Sequence, residues 1–450
     1  MDQSFTAQLA DLAVQLTTDD VPSPAMDLVE LAFIDTIGCA LAGSRSEEVR
    51  LAAGWAVGLE ARPEATVIGG RGERLPAAFA AMVNSTAGHA LDLDDVSPAM
   101  THPSTCLVPP LLAVSERTGA SGADLMMAYI AGFEVCVRLC RVLNPEHYYR
   151  GWHSMSTVNG LGVAAATARL LGLDARGVRM AMAIAAASSS GIRKNFGTMV
   201  KPLHAGQAAF HGVQAAELAA SGFVADDAIL DGQHGYLEVF GDDDTVVADV
   251  DISRLELVDS GIIFKRYACC GALHPAIDAV LDLVARHSIR PEDIVRISCS
   301  VNSRAPAVLV HHQVVAPAEG RFSVEYSLAV AAIDSDAGPA QYTTERVADP
   351  EVQRLSRSVT VVVDDDLPTG YALFPAEVTI ETAHGGVHTQ RHDIARGDPK
   401  QPFGPDEIIE KFRRCAAFVL DADGVKTAES AVVSLRDSPN VSQAVSELGG

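Results

Sequence analysis

Apolar residues over roughly the first 260 positions recur at helical spacing. Phe5, Leu9, Leu12, Ala13 and Leu16 share one face of residues 4–16, the mark of an amphipathic helix. Ser23 followed by Pro24 reads as an N-cap with proline in the first turn. The helix it opens runs through Leu28, Leu31, Ala32 and Ile34 and stops at Gly43. A Gly-rich turn near Ile68 precedes a helix over about 76–90. Further helices are expected at about 106–117, 122–143, 158–171, 174–189 and 205–220, with Asp174 capping the one that follows it. On this pattern the chain is nearly all helix up to about residue 260.

The period then changes. After a helix over about 274–287, β-branched runs appear at 294–301, 358–363 and 376–382. His384-Gly385-Gly386 and the alternating run 387–394 complete a hairpin. A helix at 323–333 lies between the first two strands, and from Pro405 the pattern is helical again through Ile408, Phe412, Phe418 and 425–436. The expected fold class is mainly α. A large all-helical domain occupies 1–264, a smaller α+β lid domain is inserted at 265–400, and residues 401–450 return to the helical domain.

Composition narrows the function classes. A formal net charge of -24 opposes binding to nucleic acid or an anionic membrane surface, both of which need clustered Lys and Arg. The chain starts without a basic or apolar leader, and its eight cysteines lack any Cys-x-x-Cys spacing, so a reducing, cytoplasmic setting is expected. Against the acidic background, no Asp or Glu lies between Asp174 and Glu217, while Arg176, Arg179, Arg193, Lys194, Lys201, His204 and His211 do. Such a segment suits a negatively charged ligand, or simply decorates the loops between helices.

Four clusters could carry chemistry. The loop from Asp92 to His102 combines three carboxylates with an imidazole, which suits a supported proton-transfer histidine, a divalent ion, or a capped loop. Tyr148 to Thr157 places His153 just ahead of an Ala-rich helix, where free backbone N–H groups attract anions or serine caps the helix. Lys201 precedes Pro202 at a helix start, an unfavourable place for a cation that a bound carboxylate or plain solvent would relieve. Phe264-Lys265 to His274-Pro275 falls where the helical region meets the α+β unit, either a ligand cleft or a hinge. Arg321-Phe322-Ser323-Val324-Glu325-Tyr326 is a helix start with an ordinary capping pattern. There is no P-loop, Rossmann fingerprint or Gly-x-Ser-x-Gly elbow, so chemistry here would rest on His, Lys, Asp and Tyr without a tightly bound cofactor.

Taken together, these segments resemble the MmgE/PrpD family. The resemblance rests on Asp35-Thr-Ile-Gly-Cys-Ala-Leu-Ala-Gly, His89-Ala-Leu-Asp-Leu-Asp-Asp, His102-Pro-Ser, Gly151-Trp-His, Lys201-Pro-Leu-His-Ala-Gly, Phe264-Lys and His274-Pro-Ala-Ile-Asp-Ala, in order along nearly the whole chain. It implies an active site between a helical domain and a lid, usually in a homodimer. Asp92, His102, His153, Lys201 and Tyr326 would be catalytic, while Lys265, His274 and His204 would bind a small anionic carboxylate; no metal or other cofactor is implied. By this reading Asp92 supports His102. Val96 and Cys270 depart from the decarboxylase-like members, which carry Thr and His there.

The reaction expected is a cofactor-independent elimination from a di- or tricarboxylate. Epimerisation of a substrate such as iminodisuccinate is the alternative, and a non-catalytic carboxylate binder the second. A metal-dependent version ranks last, because Asp92, Asp94 and Asp95 lack an evident set of His or Cys partners.

Overall fold

The computed structural model describes residues 4–449 apart from 243, 244, 246, 248, 249, 252, 371 and 372, so the first three residues of the chain start lie outside it. The helix Val200–Ala220 is central to the larger unit and packs on Ala77–His89 and Asn159–Leu170. A Cβ on Gly206 would come within 2.3 Å of Thr86 Oγ1 and 2.5 Å of the Met82 carbonyl oxygen, so only glycine permits this crossing. The close approach brings Lys201, in the first turn of one helix, beside His89, the last residue of the other. Around this pair the helical core closes with Leu9, Val83, Leu111, Val135, Val163 and Val213, all fully buried.

The second hydrophobic core begins just beyond Lys265: Phe264 belongs to the first core and Tyr267 to the second. Here His274–His287 and Val324–Asp334 pack on a four-stranded sheet ordered Val359–Val363, Ile294–Val301, Ala376–Thr382, Val387–His392. The first pair is parallel, with Ile297 opposite Val359; the others are antiparallel, with Ile297 opposite Ile380 and Ile380 opposite His388. Ile297, Cys299, Val378 and Ile380 point into the core, while the outermost strand alternates between half-buried and exposed positions, as a half-solvated edge does. Pro405–Ala416 then returns to the first core, where Ile408 and Phe412 pack and the helix lies on Ser23–Gly43. Among the described residues no helix is long and apolar enough to cross a membrane.

Two expectations differ from what forms, and one helix forms that none of them named. Residues 223–264 are not largely helical: the described part holds only Tyr236–Phe240 and Glu256–Asp259, joined by turns. This stretch serves other elements instead. Asp231, for example, accepts the N–H groups of Phe5 and Thr6 at 2.8 and 3.0 Å and so caps the first helix. Ser23 is not an N-cap either; the helix begins at Ser23, with Pro22 in the cap position. Finally, Glu47–Val57 is a helix without a strong sequence pattern, because only Val49 and Ala56 of it are fully buried.

Candidate active site

A cavity of about 150 Å³ lies between the two cores, walled by Asp92, His102, His153 and Lys201 on the helical side and by Lys265, Cys270, His274, Phe322 and Phe374 on the other. Its position follows from chain direction. The helix Ala77–His89 ends at His89, the next residues turn sharply at Asp92 (φ 52°), and the chain re-enters a helix at Pro103 with His102 in the N-cap position. Asn159 fixes that re-entry: its amide donates to the His102 carbonyl at 2.9 Å and accepts from the Thr101 hydroxyl at 2.9 Å.

Asp92 and two lysines form one charged group. Lys265 Nζ lies 2.6 Å from Asp92 Oδ1 and 2.8 Å from the Asp92 carbonyl oxygen, and Lys201 Nζ lies 3.2 Å from the same Oδ1. Burial opposes a charge on Asp92, but the ammonium groups of Lys201 and Lys265 outweigh it and hold the carboxyl well below the usual range. Burial also acts on the lysines. Lys201 is pushed down, with Asp92 opposing, while Lys265, closer to Asp92, is raised overall. The carboxylate expected to relieve Lys201 at its helix start is thus, in part, Asp92 itself. Asp92 Oδ2 is buried and has no hydrogen-bond partner.

A second group runs through Asp94. Lys201 Nζ donates to His89 Nε2 at 2.7 Å, His89 Nδ1 reaches both Asp94 oxygens at 2.9 Å, and Asp94 Oδ2 lies 3.0 Å from His102 Nδ1. Burial works against the Asp94 charge, yet the two imidazoles keep its carboxyl well below the ordinary value. His89 is lowered to about 4 and His102 is lowered too, burial being the main cause in both. The network therefore sets the tautomers. Each imidazole is neutral and gives its Nδ1–H to Asp94. His89 Nε2 accepts from Lys201, and His102 is left with an unprotonated Nε2 to offer the cavity.

This corrects the sequence assignment. Asp94, not Asp92, supports His102, and Asp92 is the counter-ion of the lysines. His89 and Asp94 were not singled out as site residues, although both stand in the His89-Ala-Leu-Asp-Leu-Asp-Asp segment. Asp95, the third carboxylate, turns away to Ser104, which also bonds the Tyr129 hydroxyl, and burial raises its pKa well above the usual range.

The remaining predicted residues divide. His153 lines the cavity and its Nδ1 lies 3.0 Å from Nδ1 of His204; His204 backs it from behind and is not among the lining residues. Burial, then Lys201, drives His153 well below its ordinary pKa and His204 to about 4. His274 lines the cavity from the start of its helix, with Nε2 3.4 Å from the Cys269 carbonyl, and burial lowers it to about 3. Tyr326 is not brought to the cavity. Its hydroxyl donates to the Gln341 carbonyl at 2.6 Å and its ring is fully buried in the second core. Arg193 instead ties the units together, donating to the carbonyls of Tyr148 and Ala307 with its guanidinium 3.8 Å from the Tyr148 ring centroid.

Two features lie behind the charged wall. His89, Asp92, Asp94 and His102 place donor atoms within 4.8 Å of one another, so the aspartates do have histidine partners, contrary to the reason given for ranking a metal last. Lys201 and Lys265 already hold two of those four residues, His89 and Asp92, and a divalent ion would face both ammonium groups. Farther back, Lys411 of the returning helix forms an ion pair with Asp35 at 2.5 Å and donates to the Leu93 carbonyl at 2.8 Å. Leu93 lies between the two site carboxylates, so the C-terminal helix braces their loop.

Comparison with known proteins bears on this geometry. A family model described as the MmgE/PrpD N-terminal domain matches residues 7–248, and one described as the MmgE/PrpD C-terminal domain matches residues 267–437. The chain is similar to cis-aconitate decarboxylase from Homo sapiens, at 28% identity over 460 residues, covering 100% of this chain and 94% of the relative. The same-named protein of Mus musculus is 28% identical, covering 97% and 90%. That of Aspergillus terreus (strain NIH 2624 / FGSC A1156) is 29% identical, covering 96% and 93%.

Proposed function

Given that the chain belongs to the MmgE/PrpD family and is a lyase of that family, we propose that it removes a proton from the carbon next to a substrate carboxylate, with His102 as the base. One observation carries this reading: a buried, ionised Asp94 holds Nδ1 of a neutral imidazole that lines the cavity. Lys201 and Lys265 take the carboxylate. Lys265 gives two N–H groups to Asp92, and Lys201 gives one to His89 while pairing with Asp92 by charge, so each ammonium keeps an N–H for substrate. As negative charge moves from carbon into the carboxylate, the same two groups stabilise it.

A neutral His102 favours elimination, in which the base must accept a proton first. The carbon–hydrogen bond breaks toward His102 Nε2 and its electron pair forms the new carbon–carbon double bond. The carbon–oxygen bond on the neighbouring carbon breaks, and the leaving hydroxyl takes the proton that His102 has just gained and departs as water, which returns His102 to its neutral form. Decarboxylation is the second reading, favoured by the names of the relatives. There carbon dioxide leaves first and a protonated histidine supplies the hydrogen.

Incubation with hydroxycarboxylates and with cis-aconitate in heavy water separates the readings. Unsaturated product without carbon dioxide is the expected result. Carbon dioxide from cis-aconitate with deuterium in the product would put decarboxylation in its place, and exchange without alkene would point to epimerisation. A homodimer in the cytoplasm is part of the same proposal. The exposed strip of Leu51, Trp55, Met199 and Val200 offers a face for a second copy, and sedimentation at micromolar concentration tests it.

A further inference from the structure

We infer that Tyr148 is a substrate-binding residue that selects for a second carboxylate: its phenol hydroxyl donates to the carboxylate that the lysine pair does not hold. The inference rests on the lyase site proposed above and adds a specificity residue to it.

A contrast among the tyrosines is the first ground. Among the described residues six are buried: Tyr129, Tyr148, Tyr236, Tyr267, Tyr326 and Tyr342. Five of the hydroxyls have protein partners. Tyr129 bonds Ser104, Tyr236 the Thr157 carbonyl, Tyr267 Asp278, Tyr326 the Gln341 carbonyl and Tyr342 Ser327. Tyr148, in the one-turn helix Glu146–Tyr149, is the exception. It lines the cavity, no described protein group bonds its hydroxyl, and the oxygen is not sealed in by packing. The hydroxyl of a buried tyrosine ordinarily finds a partner, and here the cavity is where one can arrive.

The second ground is its setting. Tyr148, His153 and Lys201 stand round the ring of Phe196, and all four line the cavity. The Tyr148 and His153 ring centroids lie 6.4 and 4.8 Å from that of Phe196, and Lys201 Nζ lies 5.4 Å from it. Burial raises the Tyr148 pKa above the ordinary 10.0, Arg193 opposes, and the nearby Asp92 charge adds to the rise. The hydroxyl therefore keeps its proton and offers it to an anion. Arg193 fixes the ring, with its guanidinium 3.8 Å from the centroid and bonds to the Tyr148 and Ala307 carbonyls. Among the described residues Lys201 and Lys265 are the only Lys or Arg that line the cavity, so a second carboxylate has to be met by neutral donors. His274 Nε2 is turned to the Cys269 carbonyl and His153 Nδ1 to His204, whereas the Tyr148 hydroxyl is uncommitted.

Calorimetric titration of the full-length protein with butyrate, succinate and propane-1,2,3-tricarboxylate tests this. None of the three carries a leaving hydroxyl, so no elimination occurs. Succinate differs from butyrate in having a carboxylate where butyrate has its methyl group, and it should bind wild type more tightly. Tyr148→Phe keeps the ring under Arg193. It should weaken succinate and the tricarboxylate by about tenfold, the scale of one hydrogen bond to a charged group, and leave butyrate unchanged. Lys201→Met, checked for folding by thermal melt, should weaken all three. If Lys201→Met does so but Tyr148→Phe changes no affinity, or weakens butyrate as much as succinate, the inference falls while the lysine-pair reading stands. If none of the three binds wild type, or Lys201→Met leaves all affinities unchanged, the lysine-pair reading falls, and the inference with it.

Discussion

The helical wall of the cavity and the lid wall differ in what their side chains bond to. On the helical side, functional groups bond one another: Lys201 to His89, His89 to Asp94, Asp94 to His102, and Asp92 to Lys201 and to Lys265 of the other wall. On the lid side, beyond Lys265, His274 bonds the Cys269 carbonyl of its own unit, Tyr326 away from the cavity bonds the Gln341 carbonyl, and most of the remaining lining is apolar, Cys270, Asp393 and Asp398 excepted. A network of mutual bonds in a buried setting is arranged before substrate arrives, which is what charge stabilisation requires. A wall of separately satisfied groups can change shape without disturbing that arrangement. Substitutions on the helical side should therefore lower kcat, and those on the lid side should act mainly through KM.

The largest effect tests the first half of that contrast. His102→Ala removes the proposed base, and kcat/KM should fall by about 10³-fold, within the range for lost acid–base catalysis. Near-normal steady-state kinetics in this variant would end the assignment. Asp94→Asn comes next. It keeps the shape but removes the charge that fixes the His102 tautomer, and about 10²-fold in kcat is expected.

Asp94→Asn also carries a signed pH effect. His102 must be neutral to act, so the rate falls as acid protonates it. Its pKa lies below the ordinary 6.5 because burial outweighs Asp94, which pulls the other way, with Lys265 and Lys201 helping to lower it. The acid limb of kcat/KM should therefore lie below pH 6.5 in the wild type and lower still in Asp94→Asn. A limb that moves to higher pH would contradict the pairing of Asp94 with His102.

A smaller effect is expected from outside the cavity. Lys411→Met leaves Asp35 buried without its partner and frees the Leu93 carbonyl. Stability should fall by about 3 kcal/mol, the scale for breaking a buried pair. Because the loop holding Asp92 and Asp94 loses its brace, kcat should fall by about tenfold with KM little changed. Equal losses in both, or none in either, would separate the C-terminal helix from the helical wall.

The same contrast explains what could be read from the chain. Helices such as Gly122–Leu143 and His274–His287, and the strands Ile294–Val301 and Ala376–Thr382, were legible because their own periodicity decides burial. Glu47–Val57 was not, since little of it is buried. Lys201, Lys265 and His102, which line the cavity, stand out in the sequence because a cation or imidazole beside a helix start or domain junction is unusual. Which aspartate serves which partner was not. Asp92 and Asp94 are two residues apart, and a left-handed turn at Asp92 sends one toward the lysines and the other toward the imidazoles. Nothing in the local sequence states that turn.

Tyr326 gives the smallest effect and the sharpest test of the lid wall. The resemblance places it among the catalytic groups, yet its hydroxyl is committed to the Gln341 carbonyl, its ring lies 5.7 Å from that of Tyr342, and burial raises its pKa well above the ordinary 10.0. Removing the hydroxyl costs one hydrogen bond, about 1 kcal/mol of stability, and leaves the carbonyl without a donor. Tyr326→Phe should accordingly keep kcat within about threefold of wild type, far less than a lost proton donor would cost. A fall of 10² or more in kcat at unchanged stability would mean that the second core moves until this hydroxyl reaches substrate. The lid would then be a partner in the chemistry rather than the shape around it.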